Sequence, residues 1–382
     1  MTDAKAPTKL LVVDDSPFNR RFIADGFSGV PEVHVVARAA DGQEALDLTF
    51  LHRPDVITLD LEMPRMDGFT FLRILMARLP TPVIIVSSYS QRENVFKALE
   101  LGAVDFVTKP DFTQLQDAPE VRDSLIQKVL ALRSRASGPS LAAGVAGAPS
   151  SAGYLSGSAM SARMAVAPPS GPGLVPGSAP GTMPGAALED YVAPKKLVVI
   201  GASTGGPSAL LTLFGVLTTA SRAAFAIAQH MPDKFTRTFS ERLDKRGPIR
   251  VREASGGETL GEHQALVCPG KRNLELVRQG GILRSIVKMP ESDDRYVPSV
   301  DRLFKSAAAF AGAELIAVVL TGMGDDGLEG ARAVKAAGGL VIAESQESAV
   351  VFGMPGCVVR EGLADHILPL KHIGPFLINA TK

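Results

Sequence analysis

Lys196-Leu-Val-Val-Ile-Gly-Ala-Ser-Thr-Gly-Gly-Pro207 is the segment around which the chain is organised. An apolar, β-branched run stops at Gly201, Ser203 follows inside a glycine-rich turn, and Pro207 opens a helical pattern carried by Leu210, Leu211, Phe214 and Leu217. Strand, tight turn and helix start therefore follow one another directly. A hydroxyl in that turn projects past the carboxyl end of a strand, beside helix N–H groups that lack intrahelical partners. Open α/β sheets place their ligands at such points.

Upstream, residues 9–131 repeat the same alternation five times. Apolar runs at Leu10–Val13, Val33–Ala37, Val56–Leu59, Val83–Val86 and Ala103–Val107 alternate with helical patterns at Phe18–Phe27, Glu44–His52, Phe69–Arg78, Val95–Leu101 and Val121–Leu132. This pattern predicts a parallel sheet covered on both faces. From Ser134 to about Pro194, Ala, Gly, Pro and Ser dominate and charges nearly vanish. Such a composition buries too little apolar surface to offset its ordering entropy, which predicts a disordered linker.

Downstream the alternation resumes less regularly. Ala224–Ala228 reads as a strand, Asp233–Leu243 as a helix, Val300–Ala311 as a helix, Leu315–Leu320 as a strand with a helix ending near Ala337, and Leu340–Ala343 as a short strand. Residues 249–288 are Gly-rich, with strand candidates at Ala265–Cys268, Leu274–Arg278 and Ile282–Ile286 that suggest hairpins beside the main sheet.

The 382 residues balance 40 basic against 40 acidic side chains, which favours neither nucleic acid nor an anionic membrane as partner. Two distant cysteines, Cys268 and Cys357, predict no disulfide framework and fit a reducing cytoplasm. The start shows no signal-peptide pattern, and no apolar run approaches a membrane span, so no membrane insertion is expected.

In the first half, Asp14, Asp15, Asp60, Ser87 and Lys109 all stand at strand carboxyl ends, which converge on one edge of a parallel sheet. Clustered carboxylates need a cation, and hard oxygen donors suit Mg²⁺. Lys109 and Ser87 can hold oxygens of a phosphoryl group accepted by one carboxylate. The plainer alternative is that each acid only caps the next helix. The arrangement resembles the receiver domain of two-component response regulators, through the paired acids, Asp60-Leu-Glu-Met-Pro64, Met66-Asp-Gly68, Ser87 and Lys109-Pro110. The resemblance implies phosphorylation of Asp60, support from Ser87 and Lys109, and Mg²⁺ held by Asp14, Asp15 and Asp60 with the Glu62 carbonyl. It also gives Phe106 the aromatic position that receivers use as a switch, with simple strand packing as the alternative.

In the second half, Gly201-Ala-Ser-Thr-Gly205 matches a nucleophile elbow, and a serine nucleophile needs a base and an orienting acid. Three readings compete. An α/β-hydrolase would draw its base from His366 or His372. A dinucleotide-binding dehydrogenase needs Tyr-x-x-x-Lys after the loop, whereas Tyr191 and Lys195 precede it. A Ser203–His230–Asp326 hydrolase uses three strand ends, with Thr321-Gly-Met-Gly-Asp-Asp-Gly327 offering backbone donors to an oxyanion. In each case the alternative is a capping serine and a strand-end histidine that does no chemistry.

From Lys196 onward the chain resembles the catalytic domain of the chemotaxis protein-glutamate methylesterases. The resemblance is carried by Gly201-Ala-Ser-Thr-Gly-Gly206, Gln229-His-Met-Pro232, Pro269-Gly270, Pro298-Ser-Val-Asp301, Thr321-Gly-Met-Gly324, Asp326-Gly327 and Phe352-Gly-Met-Pro355. Val297 departs from the arginine usual in that family, and Cys268 from a small residue. The resemblance implies two doubly wound α/β domains, a flavodoxin-like receiver (8–132) and a Rossmann-like methylesterase domain with a β-hairpin insert (195–382), joined by a disordered linker (133–194). It implies a catalytic Ser203, His230 and Asp326; the backbone N–H groups of Thr204, Met323 and Gly324 in the two turns are the oxyanion candidates. It further implies hydrolysis of glutamyl γ-methyl esters on chemoreceptors with release of methanol, deamidation of certain glutamines, a chemotaxis histidine kinase as phosphodonor, gating by the receiver, and no cofactor for the esterase domain.

Overall fold

The computed structural model describes residues 6–88, 92–109, 118–133 and 191–382. Of the stretch expected as a linker, residues 134–190 lie outside these, as does Pro110.

The N-terminal unit alternates strand and helix throughout: β1 (Thr8–Val13), α1 (Pro17–Gly26), β2 (Val33–Ala39), α2 (Gly42–His52), β3 (Val56–Leu59), α3 (Gly68–Arg78), β4 (Val83–Ser87), α4 (Arg92–Glu100), β5 (Asp105–Thr108) and α5 (Ala118–Arg133). The strands lie in the order β2-β1-β3-β4-β5, all parallel. β3 and β4 are buried at every position. A strand covered on both faces reads as a continuous apolar run, which is why these were legible. Ser16, Asp41 and Asp67 accept from first-turn N–H groups of α1, α2 and α3, fixing where each helix begins.

The C-terminal unit contains β6 (Lys196–Ala202), α6 (Gly206–Val216), β7 (Ala223–Gln229), α7 (Asp233–Asp244), β8 (Arg250–Glu253), β9 (Gln264–Val267), β10 (Asn273–Gln279), β11 (Ile282–Lys288), α8 (Val300–Ala311), β12 (Leu315–Val319), α9 (Leu328–Ala336), β13 (Leu340–Glu344), α10 (Met354–Arg360), β14 (His366–Leu368) and α11 (Leu370–Ala380). Its main sheet runs β14-β13-β12-β6-β7-β9-β8, parallel at every pairing. From β6 the chain builds outward through β7, then returns to β12 on the other side. The crevice between β6 and β12 is thus the switch point of the sheet.

The hairpin expectation for residues 249–288 is half corrected. β10 and β11 do form a separate antiparallel pair. β9, however, joins β7 in parallel, and β8 joins β9. The connection 254–263 carries no helix, so a crossover between parallel strands looks like a turn in the sequence.

Candidate active site

Register brings the serine and histidine level. Ala202 of β6 pairs with Gln229 of β7, so Ser203 and His230, the next residues, leave adjacent strands side by side. Gln229, 1% exposed, ties the two turns together, its amide donating to the Ser203 carbonyl at 2.9 Å and the His230 carbonyl at 3.0 Å. A Cβ at Gly206 would lie 2.1 Å from the Gln229 Oε1, so this close approach requires glycine.

Asp326 follows β12 and is buried. Its Oδ2 lies 2.8 Å from His230 Nε2. Three groups at the start of α8 hold the carboxylate. The Val300 N–H donates to Oδ2 at 2.8 Å, the Asp301 N–H to Oδ1 at 2.9 Å, and the Ser299 hydroxyl to Oδ1 at 3.4 Å. Asp326 therefore sits on a helix N-terminus, where orphan N–H groups and the dipole favour a negative charge. Asp301 reciprocates: its Oδ1 accepts from Gly327 at 2.9 Å and Gly330 at 2.6 Å, at the start of α9. Burial, then the charge of Asp326, raises the Asp301 carboxyl above the usual carboxylate range.

The turn after β12 is held against Ser203. The Ser203 N–H donates to the Thr321 carbonyl at 3.0 Å, and the Thr321 hydroxyl donates to the Thr204 carbonyl at 2.9 Å. Gly322 donates to Val351 and accepts from Gly353 and Met354, so Val351–Met354 braces the turn. A Cβ at Gly322 would meet Met354 Sδ at 2.3 Å and Ser203 Cβ at 2.9 Å. Among the described residues the backbone N–H groups of Thr204, Met323 and Gly324 have no acceptor. Ser203 Oγ likewise makes no hydrogen bond among them: His230 and Asp326 are joined, and Ser203 and His230 are not. Such bonds often close only around substrate.

The rival readings lose their residues. His366 opens the outermost strand, β14, and packs its ring at a tilt against Phe376, while His372 lies in α11; β13 and β12 separate that edge from β6. Tyr191 accepts from the Leu283 N–H of the hairpin, and Lys195 precedes β6 at its amino end.

In the N-terminal unit, ligand atoms of Asp14, Asp15 and Asp60 lie within 4.8 Å of one another. Lys109 Nζ sits 2.6 Å from Asp60 Oδ2 and 2.8 Å from Asp14 Oδ2, yet Asp14 Oδ2, buried, is not aligned for a hydrogen bond to any group. Burial raises the Asp60 carboxyl, outweighing Lys109, and Asp14 adds to the rise. Burial opposes the charge on Lys109, but Asp60 and Asp14 prevail and raise it. Three clustered acids that meet a single ammonium, with one buried carboxylate oxygen not hydrogen-bonded, fit a hard divalent cation. The Glu62 carboxylate is not in this group, and Ser87, buried, ends β4 on the same edge.

Residues 198–377 match the CheB methylesterase family model, and residues 10–120 the response regulator receiver domain. The chain is 41% identical over 374 residues to the Myxococcus xanthus protein-glutamate methylesterase/protein-glutamine glutaminase 1, covering 98% of this chain and 97% of that one. It is 42% identical over 386 residues to a Geobacter sulfurreducens protein of the same description, numbered 3, covering 97% and 96%. The chain belongs to the CheB methylesterase family. Its second half is thus a methylesterase domain and its first half a receiver. Among solved structures, the Thermotoga maritima CheB methylesterase catalytic domain is 40% identical, spanning 48% of this chain and 98% of that one with a TM-score of 0.47.

The receiver packs on the methylesterase domain beside Ser203. Phe96 of α4 stacks on Phe239 of α7 at 5.7 Å between centroids, and Phe106 of β5 lies 4.6 Å from Phe235. Arg242 pairs with Glu93 and Glu100, and Arg246 with Glu100. Ser208, in the first turn of α6, reaches the Ala103 carbonyl at 3.4 Å. Val351 is buried in an apolar cluster with Val86, Val104 and Val107 of the receiver, and Met323 and Val350 pack against it.

Sequence reasoning gave no role to Gln229, Ser299 or the start of α8, and passed over Tyr296. Ser299 followed by an apolar-periodic helix was a readable N-cap signal. What that N-terminus holds depends on a contact 26 residues away.

Proposed function

We propose that this chain is a phosphorylation-controlled hydrolase that removes γ-methyl groups from glutamate side chains of chemoreceptors, releasing methanol, and deamidates certain receptor glutamines. Ser203 is the nucleophile, His230 the base and Asp326 the orienting acid. The observation that carries this reading is the 2.8 Å His230–Asp326 contact, with Asp326 fixed on the start of α8. The hydrogen bond at Nε2 assigns the tautomer, so Nδ1 is the nitrogen that takes the Ser203 proton. The alkoxide attacks the ester carbonyl, and the N–H groups of Thr204, Met323 and Gly324 receive the oxyanion; one such donor is typically worth roughly 3–4 kcal/mol. Nδ1–H then protonates the methoxy oxygen as its bond to the carbonyl carbon breaks, releasing methanol; water, giving its proton to His230, attacks the acyl-enzyme, and the proton returns to Ser203 Oγ as the carboxylate leaves. With a glutamine, ammonia leaves instead.

Asp60 accepts a phosphoryl group from a chemotaxis histidine kinase, with Ser87 and Lys109 binding its oxygens. Asp14, Asp15 and Asp60 would hold Mg²⁺ with the Glu62 carbonyl, and when bound it neutralises charge on the carboxylates and the transferring group. The receiver gates access. Its contact with Met323, Val350 and Val351 narrows the approach to Ser203 for a helical receptor, and phosphorylation biases against the docked state.

The decisive experiment is Ser203→Ala. Methanol release from methylated receptor membranes should vanish while Asp60 still takes up phosphate from a small phosphodonor. Turnover near that of the parent chain would overturn the assignment of the nucleophile.

A further inference from the structure

The base has a neighbour with no assigned role. The Tyr296 ring lies against the His230 imidazole with planes parallel to 7° and centroids 5.3 Å apart, an offset stack. Tyr296 is itself fixed at two points. Its hydroxyl donates to Asp325 Oδ1 at 2.9 Å, and the Arg295 guanidinium, 5.0 Å from the ring centroid, pairs with the same Asp325 at 3.1 Å. The phenol also packs on the oxyanion turn, since a Cβ at Gly324 would come within 2.6 Å of the Tyr296 hydroxyl. The loop that carries it is anchored by Asn273, which accepts from the Ser299 N–H at 2.9 Å and donates to Asp294 at 2.7 Å. One side chain thus touches the base, the residue before the orienting acid and the turn that offers N–H groups.

We infer that Tyr296 is a positioning residue for His230: its ring holds the imidazole in the plane that keeps Nε2 on Asp326 and Nδ1 toward Ser203, and its π-face stabilises the imidazolium formed when Ser203 loses its proton. A cation over an electron-rich ring is attracted to it, and shielding from water strengthens the attraction. Donation to Asp325 keeps electron density on the ring, and Arg295 draws on the same density. The charged and titratable groups facing His230 are Asp326 directly, Tyr296 by stacking, Arg295 and Asp325 through Tyr296, and Asp301 behind Asp326. This inference rests on the reading of His230 as the base.

The test uses the full chain with a small phosphodonor, methylated receptor membranes, and the variants Tyr296→Leu and Tyr296→Phe, with Ser203→Ala alongside. Tyr296→Leu should lower kcat about tenfold with KM little changed, and should move the midpoint of the rising limb of the kcat/KM profile down by about one pH unit. Tyr296→Phe, which keeps the ring, should restore most of kcat and leave the midpoint near that of the parent. Should Tyr296→Leu fail to fold, the His230 imidazole resonance followed against pH in Tyr296→Phe and Tyr296→Asn reports the same stacking: the Phe variant should titrate with the parent and the Asn variant lower, and an Asn variant that titrates with the parent would overturn the inference. A Tyr296→Leu enzyme with the parent's pH midpoint would also overturn it, because a residue that only packs the loop leaves that midpoint in place. If Ser203→Ala stays active, the triad itself fails; if Ser203→Ala is inactive and Tyr296→Leu is normal, only the role of Tyr296 fails.

Discussion

Asp326 and Asp301 each stand at the other's helix. Asp326, just before α9, accepts from the start of α8, and Asp301, in the first turn of α8, accepts from the start of α9. The exchange locks Asp326, the proposed orienting acid, without a dedicated loop, and its cost is two carboxylates close together. Burial and then Asp326 raise the Asp301 carboxyl. A raised carboxyl gives its full stabilisation below the unfolded value and loses it as pH rises through the folded value, so the loss grows toward neutral pH. Asp301→Asn keeps the acceptor for Gly327 and Gly330 and removes the charge. Its stability in urea should equal or exceed the parent's at neutral pH, with the advantage fading toward about pH 4. Asp301→Ala loses both caps and should cost about 1–2 kcal/mol, with a fall in kcat as the Asp326 turn loosens. Ser203, His230 and Asp326 were legible because parallel strands deliver their carboxyl ends to one edge. Tyr296 was not, because residues 289–299 have no period and take their place from Asn273, on a distant strand.

Between elements, the contact of α4 with α7 mixes aromatic rings and ion pairs, and magnitudes separate them. The pairs of Phe96 and Phe106 with Phe235 and Phe239 are each worth about 0.5–1.5 kcal/mol beyond area burial. Exposed ion pairs are worth roughly 0–1 kcal/mol and are screened by salt. The rings therefore hold the interface and the arginines tune it. Arg242→Ala combined with Arg246→Ala should raise methanol release without phosphodonor several-fold, since about 1.4 kcal/mol is a tenfold change in an equilibrium. Added salt should raise the parent's basal rate in the same direction and leave the double variant nearly unchanged. A basal rate indifferent to both would remove the ion pairs from the gate. Most strands and helices could be read from buried apolar runs and caps. β9 reads as part of a hairpin because the connection from its parallel neighbour β8, residues 254–263, has turn-like composition. β8, Arg250-Val-Arg-Glu253, hid because an edge strand needs only one buried side chain in four.

Across the whole molecule, two sheets with the same winding divide the labour: one edge gathers Asp14, Asp15, Asp60 and Lys109, the other Ser203, His230 and Asp326. Fold and family were legible because both edges are built from local motifs. The docking of one unit on the other was not, since Phe96, Phe106, Phe235 and Phe239 read as ordinary core residues until the two domains meet. In the proposed switch, phosphorylation at the first edge uncovers the second. Moving a population from mostly docked to mostly open takes about 5.5 kcal/mol of differential stabilisation. The most direct measurement is methanol release from methylated receptor membranes by the full chain, with and without a small phosphodonor, beside Asp60→Asn and Ser203→Ala. A marked rise on phosphodonor addition is expected in the parent, none in Asp60→Asn, and no release at all from Ser203→Ala. An equal rate with and without phosphodonor in the parent, or persistent release from Ser203→Ala, would contradict a phosphorylation-controlled serine hydrolase.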